Sequence, residues 1–387
     1  MLNLDLNLDL NLKVKRVGVI GGGQLAWMMA IAAKPIHLQL VVQAGSQEDA
    51  SVRAADRLVL GAVNDFAATE QLAALSDVIT FENEFVNIEK LQKLASQGVK
   101  FLPSLETLTT CVDKYLQRLH FQQQGIPTPK FFQVDREVEL LTAARSLGYP
   151  LVLKARRNGY DGKGTWVVKS ESELLEAWTS MAKAAAILEE FVPFERELAT
   201  IAVRSESGEV AIYPVVETEQ ENQVCRRVLA PARIQPSVAA QVEAIAGTML
   251  TSLNAIGVFG IEFFLTKDGK VSVNEIAPRT HNSGHYTIEA CATSQFEQLL
   301  RIVSGMPLGS IAMTSPVAVM INLLGFEDKI SDYALQRQAL AQLPNTHVHW
   351  YGKTQSKVGR KLGHVTVLAE TYEQGLAIGD RVNQIWQ

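Results

Sequence analysis

Short apolar runs recur along the chain, separated by glycine-rich or helical stretches. Residues 16–20 form one such run and end in Gly21-Gly22-Gly23. A helical pattern follows over 24–33, and strand-like runs recur at 37–42, 57–60 and 77–81 with helical patterns between them. Strands alternating with helices predict an α/β unit with a doubly wound parallel sheet over residues 15–113. The texture then changes. Runs at 150–155 and 165–168 flank the glycine-rich segment 158–164, which predicts strand, glycine loop, strand. Further strands are expected at 186–190, 198–203 and 211–216, a helix at 237–254, and a hairpin from 258–265 and 270–276. These predict an α+β domain over residues 114–310. The remainder, 311–387, has strand-like runs at 317–323, 347–351 and 364–370 and a closing helix, which predicts a small β-rich C-terminal domain packed on the others. In the leader, residues 1–14, Leu alternates with Asn or Asp. That period fits a half-buried strand, but a poorly ordered extension is the expectation.

Composition narrows the class. A chain of 387 residues suggests two or three domains. Apolar residues at 47% and charged residues at 20% suit an ordinary globular enzyme. Lys plus Arg is 36 against 41 Asp plus Glu, and the net charge of -5 argues against nucleic-acid binding, which needs a basic face. Cys111, Cys225 and Cys291 lie far apart with no CxxC. They are expected as free thiols in a reducing compartment, which places the chain in the cytoplasm. No apolar run reaches the roughly 18 residues of a membrane span, and no secretion signal is evident.

Two glycine loops are candidates for anion binding. Gly21-x-Gly23-x-x-Ala26 after a strand matches the looser dinucleotide fingerprint. The acidic residue that should end the second strand is missing, since Val41-Val42-Gln43-Ala44 carries no carboxylate. A substrate-facing loop fits better than a dinucleotide site, and a plain strand-to-helix turn is the alternative. Gly159-Tyr160-Asp161-Gly162-Lys163-Gly164 is the stronger candidate, with Lys154 just before it. Its glycines let the backbone fold over an anion without Cβ clashes. A phosphate lid is favoured over an idle hairpin tip.

The most informative piece is the hairpin. Asp268-Gly269 between strand-like runs predicts a two-residue turn. Lys267 then pairs with Lys270 and, stepping outward, Glu262 with Glu275. Their Cβ atoms would stand ~4.5–5.5 Å apart, with Phe264 and Val273 on the same face. Facing carboxylates on an apolar face call for a cation between them, and Mg²⁺ holding a polyphosphate supplies one. A solvated pair on an edge hairpin is the alternative. Pro278-Arg279-Thr280-His281-Asn282-Ser283-Gly284-His285 follows at once, and Arg279 can hold an oxyanion with two parallel N–H groups.

Together, Lys154, the 159–164 loop, Leu188-Glu189-Glu190-Phe191, Glu197, Glu262, Asn274-Glu275 and Arg279 resemble the ATP-grasp superfamily. Within it, Gly21–Leu25, Phe81-Glu82-Asn83-Glu84-Phe85, 160–164, 274–285 and Tyr351-Gly352-Lys353 with Gly359-Arg360-Lys361 resemble the N5-carboxyaminoimidazole ribonucleotide synthetase family. The likeness runs from about residue 17 to 364. It implies a pre-ATP-grasp domain, an ATP-grasp domain and a C-terminal domain. It also implies a purine-biosynthesis ligase: ATP and bicarbonate give carboxyphosphate, which carboxylates 5-aminoimidazole ribonucleotide (AIR) on its exocyclic amine. By motif position, Lys114 and Lys154 should meet ATP, Gly159, Tyr160, Asp161, Gly162, Lys163, Gly164 and Thr165 should form the lid, and Glu189, Glu190, Phe191 and Val192 should meet the adenine. Glu197 should take the ribose hydroxyls. Glu262 and Glu275 should ligate Mg²⁺, with Asn274 beside them. Gly23, Gln24, Leu25, Glu82, Tyr160, His281, Asn282 and Ser283 should meet AIR, and Lys353, Arg360 and Lys361 its 5′-phosphate. Asp161, Arg279 and Lys353 are the catalytic candidates. The resemblance further implies a homodimer.

Two departures stand out. Gln220 occupies a position where the family commonly carries His, so its ATP contact rests on neutral hydrogen bonding. Ala277 stands where many ATP-grasp chains place a second metal-strand Asn, so metal ligation rests on the two Glu. The rival ligase is the formate-using glycinamide ribonucleotide transformylase. A nucleotide-binding redox or sensor protein built on the Gly21 loop is the rival from another class.

Overall fold

The computed structural model describes residues 14–157, 159 and 164–387. Residues 1–13 of the leader, and Tyr160, Asp161, Gly162 and Lys163 of the expected lid, lie outside the described residues. Val14 packs against the N-terminal core.

β1 (Arg16–Ile20), β2 (Gln39–Ala44), β3 (Arg57–Leu60) and β4 (Val78–Phe81) form a parallel sheet in the order β3-β2-β1-β4. β1, β2 and β4 are almost wholly buried, as a parallel sheet covered on both faces requires. Strand order reverses beside β1, so the carboxyl ends of β1 and β4 flank the crevice where open α/β sheets receive ligands. Gly21 and Glu82 are the first residues beyond those two ends.

β5 (Phe131–Val134), β6 (Leu151–Ala155), β7 (Thr165–Val168) and β8 (Ala186–Glu190) form an antiparallel sheet ordered β5-β8-β6-β7. Helices Glu137–Leu147 and Glu171–Ser180 cover it, and Leu140, Leu153, Trp178 and Leu188 meet in its core.

The remaining strands are β9 (Phe194–Arg204), β10 (Val210–Ile212), β11 (Val216–Glu221), β12 (Val224–Ala230), β13 (Gly257–Thr266), β14 (Val271–Ala277), β15 (Val317–Leu324), β16 (Lys329–Ile330), β17 (Thr346–Trp350), β18 (Gln355–Ser356) and β19 (Lys361–Ala369). Among the described residues they build a nine-stranded sheet, β14-β13-β9-β11-β12-β15-β19-β17 with β10 on β9, and a separate β16-β18 pair. The C-terminal part is β-rich as expected, but its strands continue the middle domain's sheet. The seam is antiparallel, from Arg227 opposite Ile321 to Ala230 opposite Ala318. Helix Pro236–Ser252 covers Phe259, Ile261, Phe263 and Val273, and helix Tyr372–Trp386 covers β15 and β19.

Three expectations need correction. The run 211–216 is two strands rather than one, because Pro214 cannot donate to a ladder. β5 and β12 were not foreseen: Cys225-Arg226-Arg227 interrupts the apolar alternation that would have marked β12. The hairpin turn has three residues rather than two. Thr266 N–H donates to Lys270 O at 3.0 Å and Gly269 N–H to Thr266 O at 2.9 Å, with Gly269 at φ 78°. Leu265 therefore faces Val271, and Phe263 faces Val273. A bulge between Glu262 and Phe263 accommodates Asn274 as an extra residue on β14, and beyond it Glu262 does face Glu275. The expected pair is present because one slip cancels another. Val273 is not beside Glu275; it is wholly buried with Phe263 on the helix-covered face.

Candidate active site

One cleft of about 830 Å³ runs between the three parts of the chain. Its walls carry Glu262, Asn274 and Glu275 from the hairpin, Lys114, Lys154, Gly159 and Thr165 from the middle domain, and Gln24, Leu25 and Glu82 from the parallel sheet. Glu189, Glu190, Phe191, Val192, Glu197, Gln220, Arg279, His281, Asn282, Ser283 and Lys361 also line it.

The bulge aims Asn274 across the cleft floor. Its Nδ2 donates to Glu262 Oε2 at 3.3 Å, and its Oδ1 accepts from Lys154 Nζ at 3.0 Å. Glu275 is ion-paired with Lys114. The Lys114 ammonium holds the Glu275 carboxyl down at about 2. Burial, then the charges of Glu275 and Glu197, push Glu262 up to about 8. Burial alone raises Glu197 to about 7. Among the described residues Lys114 is the lysine ion-paired to these carboxylates, with Lys361 and Lys154 acting on Glu262 and Glu275 from farther off, which leaves the group short of paired positive charge. Hard oxygen donors around such a deficit suit a magnesium ion. Among the described residues no group of three His, Cys, Asp or Glu side chains is placed to hold a metal unaided. Mg²⁺ ordinarily takes one or two carboxylates and completes its shell with phosphate and water, so the donor set fits.

Behind this floor lies a buried ion cluster. Lys154 Nζ contacts Glu189 Oε2 at 2.8 Å, and Arg118 Nε contacts Glu189 Oε1 at 2.5 Å. Arg118 also donates to Asn274 O at 2.7 Å. Burial works to raise the Glu189 carboxyl, but Arg118 and Lys154 outweigh it and hold it at about 2. The Glu189 side chain is thus committed to the interior, and its backbone lies between Phe131 of β5 and Val152 of β6. The edge beyond β8, Phe191 and Val192, is better placed to meet a base. Phe194 and Phe264 stack at 4.9 Å nearby and make an aromatic wall beside Glu197. Gly164, at φ 83°, accepts from Ala155 N–H through its carbonyl at 2.8 Å, next to the pairing of Lys154 with Thr165. Gln220 lines the cleft beside the bulge of β11, opposite Cys225.

At the switch point, Glu82 lies over the first glycine loop. A Cβ at Gly21 or Gly23 would stand 2.4 Å from its carboxylate oxygens. Burial pushes the Glu82 carboxyl up, opposed by Arg279 and by the backbone N–H groups of Gly23 and Leu25. Arg279, expected to offer an open fork to an oxyanion, is instead engaged by Glu84: Nη2 donates to Glu84 Oε1 at 2.9 Å, and Nη1 to Thr280 O at 3.1 Å. His281 Nε2 lies 3.6 Å from Glu262 Oε1, and its Nδ1 lies 2.8 Å from Ser283 Oγ.

The C-terminal basic cluster is only partly in the cleft. Lys361 lines it; Lys353 and Arg360 do not. Lys353 Nζ donates to Gln24 Oε1 at 2.8 Å and to Lys361 O at 2.9 Å. Arg360 Nη1 donates to Gln355 O at 2.6 Å. Sequence patterns did not single out Arg118, Glu84, Arg53 or Asn322. Each matters through a partner far away in the chain, and local periodicity carries no signal for that.

Three family models match the chain: a ribonucleotide synthetase preATP-grasp domain over residues 14–111, an ATP-grasp domain over 119–296, and a phosphoribosylaminoimidazole carboxylase C-terminal domain over 318–377. The chain is 50% identical over 379 residues to the N5-carboxyaminoimidazole ribonucleotide synthase of Synechococcus elongatus, covering 96% of each chain. It is 36% identical to the Bacillus subtilis synthase over 92% of each. It is also similar to the Aspergillus clavatus carboxyaminoimidazole ribonucleotide synthase solved with ATP, with TM-score 0.90, 34% identity, and 96% and 98% of the two chains covered. The A. clavatus enzyme has also been solved with ADP and 5-aminoimidazole ribonucleotide, with TM-score 0.89 and 34% identity over 96% and 98% of the chains. A continuous match at this identity, through all three parts and around a cleft with this chemistry, means that the chain belongs to the N5-carboxyaminoimidazole ribonucleotide synthase family.

Proposed function

We propose that this chain is an ATP-dependent carbon–nitrogen ligase that carboxylates 5-aminoimidazole ribonucleotide with bicarbonate, releasing ADP and phosphate, in purine biosynthesis. One observation carries the reading. A single cleft joins the Glu262–Glu275 pair to the Glu82 switch point, so a phosphate donor and a second substrate can meet without leaving it.

Lys114 and Lys154 are the cations we assign to ATP phosphates. Phe191, Val192 and the Phe194–Phe264 wall take the base, and Glu197 the ribose hydroxyls, with Gln220 beside it. Tyr160–Lys163 are assigned to the lid with Gly159, Gly164 and Thr165. Glu262 and Glu275 would hold Mg²⁺, which when bound neutralises phosphate charge as the terminal phosphoryl group moves. Gln24, Leu25, Glu82, His281, Asn282, Ser283 and Lys361 face the AIR side. Lys353 orients Gln24 from behind. Arg279, paired to Glu84, stiffens the wall between the two substrates. Charge stabilisation and alignment supply most of the catalysis in such chemistry, and water exclusion protects carboxyphosphate.

The division we adopt is 15–113, 114–310 and 311–387. The cytoplasm is the assigned compartment, on the three free thiols, and a homodimer is the assigned assembly, on family resemblance. No helix among the described residues is long and apolar enough to cross a membrane.

The test is ADP release measured with each component omitted in turn. Turnover should require AIR, bicarbonate and a divalent cation together. Turnover with formate and glycinamide ribonucleotide instead would overturn the assignment in favour of the transformylase.

A further inference from the structure

Asn322 does not line the cleft, yet its amide is tied to two residues that do. It is 1% exposed on β15. The β12–β15 ladder stops at Arg227 opposite Ile321, so Asn322 is the next residue outward. There its side chain takes over from the ladder. Nδ2 donates to Cys225 O at 2.9 Å and to Asn282 Oδ1 at 2.7 Å, while Oδ1 accepts from Asn282 Nδ2 at 2.9 Å. Cys225 and Asn282 both line the cleft.

These bonds have a direction. A backbone carbonyl only accepts, so Cys225 O fixes which end of the Asn322 amide is nitrogen. A reversed Asn322 would set its oxygen against Cys225 O inside the protein. Once Asn322 is fixed, the reciprocal pair fixes Asn282 as well, with Asn282 Oδ1 toward Asn322 Nδ2. One of the two Asn282 N–H bonds is consumed in the pair, and the other remains. We infer that Asn322 is a positioning residue: through it the Cys225 carbonyl sets the polarity of the Asn282 amide, so that Asn282 offers the cleft an N–H donor suited to a carboxylate or phosphate oxygen. The substrate class rests on the carboxylase reading; the relay of polarity does not.

Two measurements test this. The first is a double-mutant cycle on kcat/KM for bicarbonate and AIR, using Asn322→Ala and Asn282→Ala in the full chain. If Asn322 acts through Asn282, Asn322→Ala lowers kcat/KM about tenfold in the native background and less than about twofold in the Asn282→Ala background. Equal losses in both backgrounds overturn the inference, as does native kcat/KM in Asn322→Ala. Asn322→Asp keeps the volume but removes the donor, and it carries the same comparison if the alanine variant does not fold. The second measurement needs no turnover. In protein labelled with ¹⁵N-asparagine, the Asn282 side-chain amide should be protected from exchange by its bond to Asn322 Oδ1, and Asn322→Leu, which lacks that oxygen at similar volume, should remove that protection. Unchanged protection overturns the inference. Absence of AIR-dependent turnover in the native protein overturns the carboxylase reading alone, and the exchange measurement then decides the relay.

Discussion

Glu262 and Glu275 face each other across β13 and β14, yet their surroundings drive their protons in opposite directions. Lys114 holds Glu275 ionised, with its carboxyl at about 2, whereas burial and the Glu275 charge push Glu262 up to about 8. A cation between them must displace the Glu262 proton. Divalent cation affinity, measured with ADP present, should therefore rise with pH, by at most about tenfold per unit, and level off above about pH 8. Calorimetry in buffers of different ionisation enthalpy should count close to one proton released at pH 7. Glu275→Gln should abolish ATP turnover, by about a hundredfold or more, without unfolding the chain. Mg²⁺ affinity independent of pH would remove Glu262 from the metal assignment.

The same displaced proton affects stability. Glu262 in the folded chain titrates at about 8, against an ordinary 4.5. Below the ordinary value both states are protonated. As pH rises from there toward 8, the unfolded chain gives up its proton first, and stability is lost. Glu262→Gln mimics the protonated form. Without metal or nucleotide it should melt a few degrees above native protein at pH 8, with the gap shrinking toward pH 5, at about 2–4 °C per kcal/mol. A gap that grows toward acid would contradict the burial of this group.

The buried cluster predicts the opposite dependence. Arg118 and Lys154 hold Glu189 at about 2, so their contribution is present above the ordinary carboxyl value and fades as pH falls through 4.5 toward 2. Arg118→Leu leaves Glu189 with Lys154 alone in the interior. It should cost ~3–5 kcal/mol and move the acid unfolding midpoint upward. Denaturant melts at pH 7 and pH 4 would check both, and a neutral substitution would show that Arg118 is dispensable.

Gly352 marks where the first and last parts of the chain lock together. Its φ is 76°, and a Cβ there would stand 1.5 Å from Arg53 Nη2. That nitrogen donates to Tyr351 O at 2.9 Å. Gly352→Ala must strain the backbone and push Arg53 away, at a cost of ~1–2 kcal/mol. Lys353 is the next residue and holds Gln24, so the KM for AIR should rise several-fold with the KM for ATP unchanged. Pairing it with Arg53→Ala should recover the steric part only.

Much of this molecule was legible along the chain. The parallel sheet and the polar stretch after the hairpin both follow from patterns within a few residues of each other, because side-chain period and turn chemistry are local properties. The hairpin also shows the limit. A two-residue turn would pair Glu262 with Glu275, yet the pairing is made by a three-residue turn and a bulge at Asn274. Register depends on where the backbone absorbs an extra residue, and residue type alone signals that weakly.

The linear sequence determined which chemistry the chain carries: the paired acids, the lysines, the glycines and the family they mark. Only the tertiary structure decided who partners whom. Glu84 claims Arg279, Arg118 and Lys154 share Glu189, Asn322 turns Asn282, and β15 extends the sheet begun by β9. The physical reason is distance along the chain. Arg279 and Glu84 are 195 residues apart, and no local pattern shows that two buried charges so separated will neutralise one another.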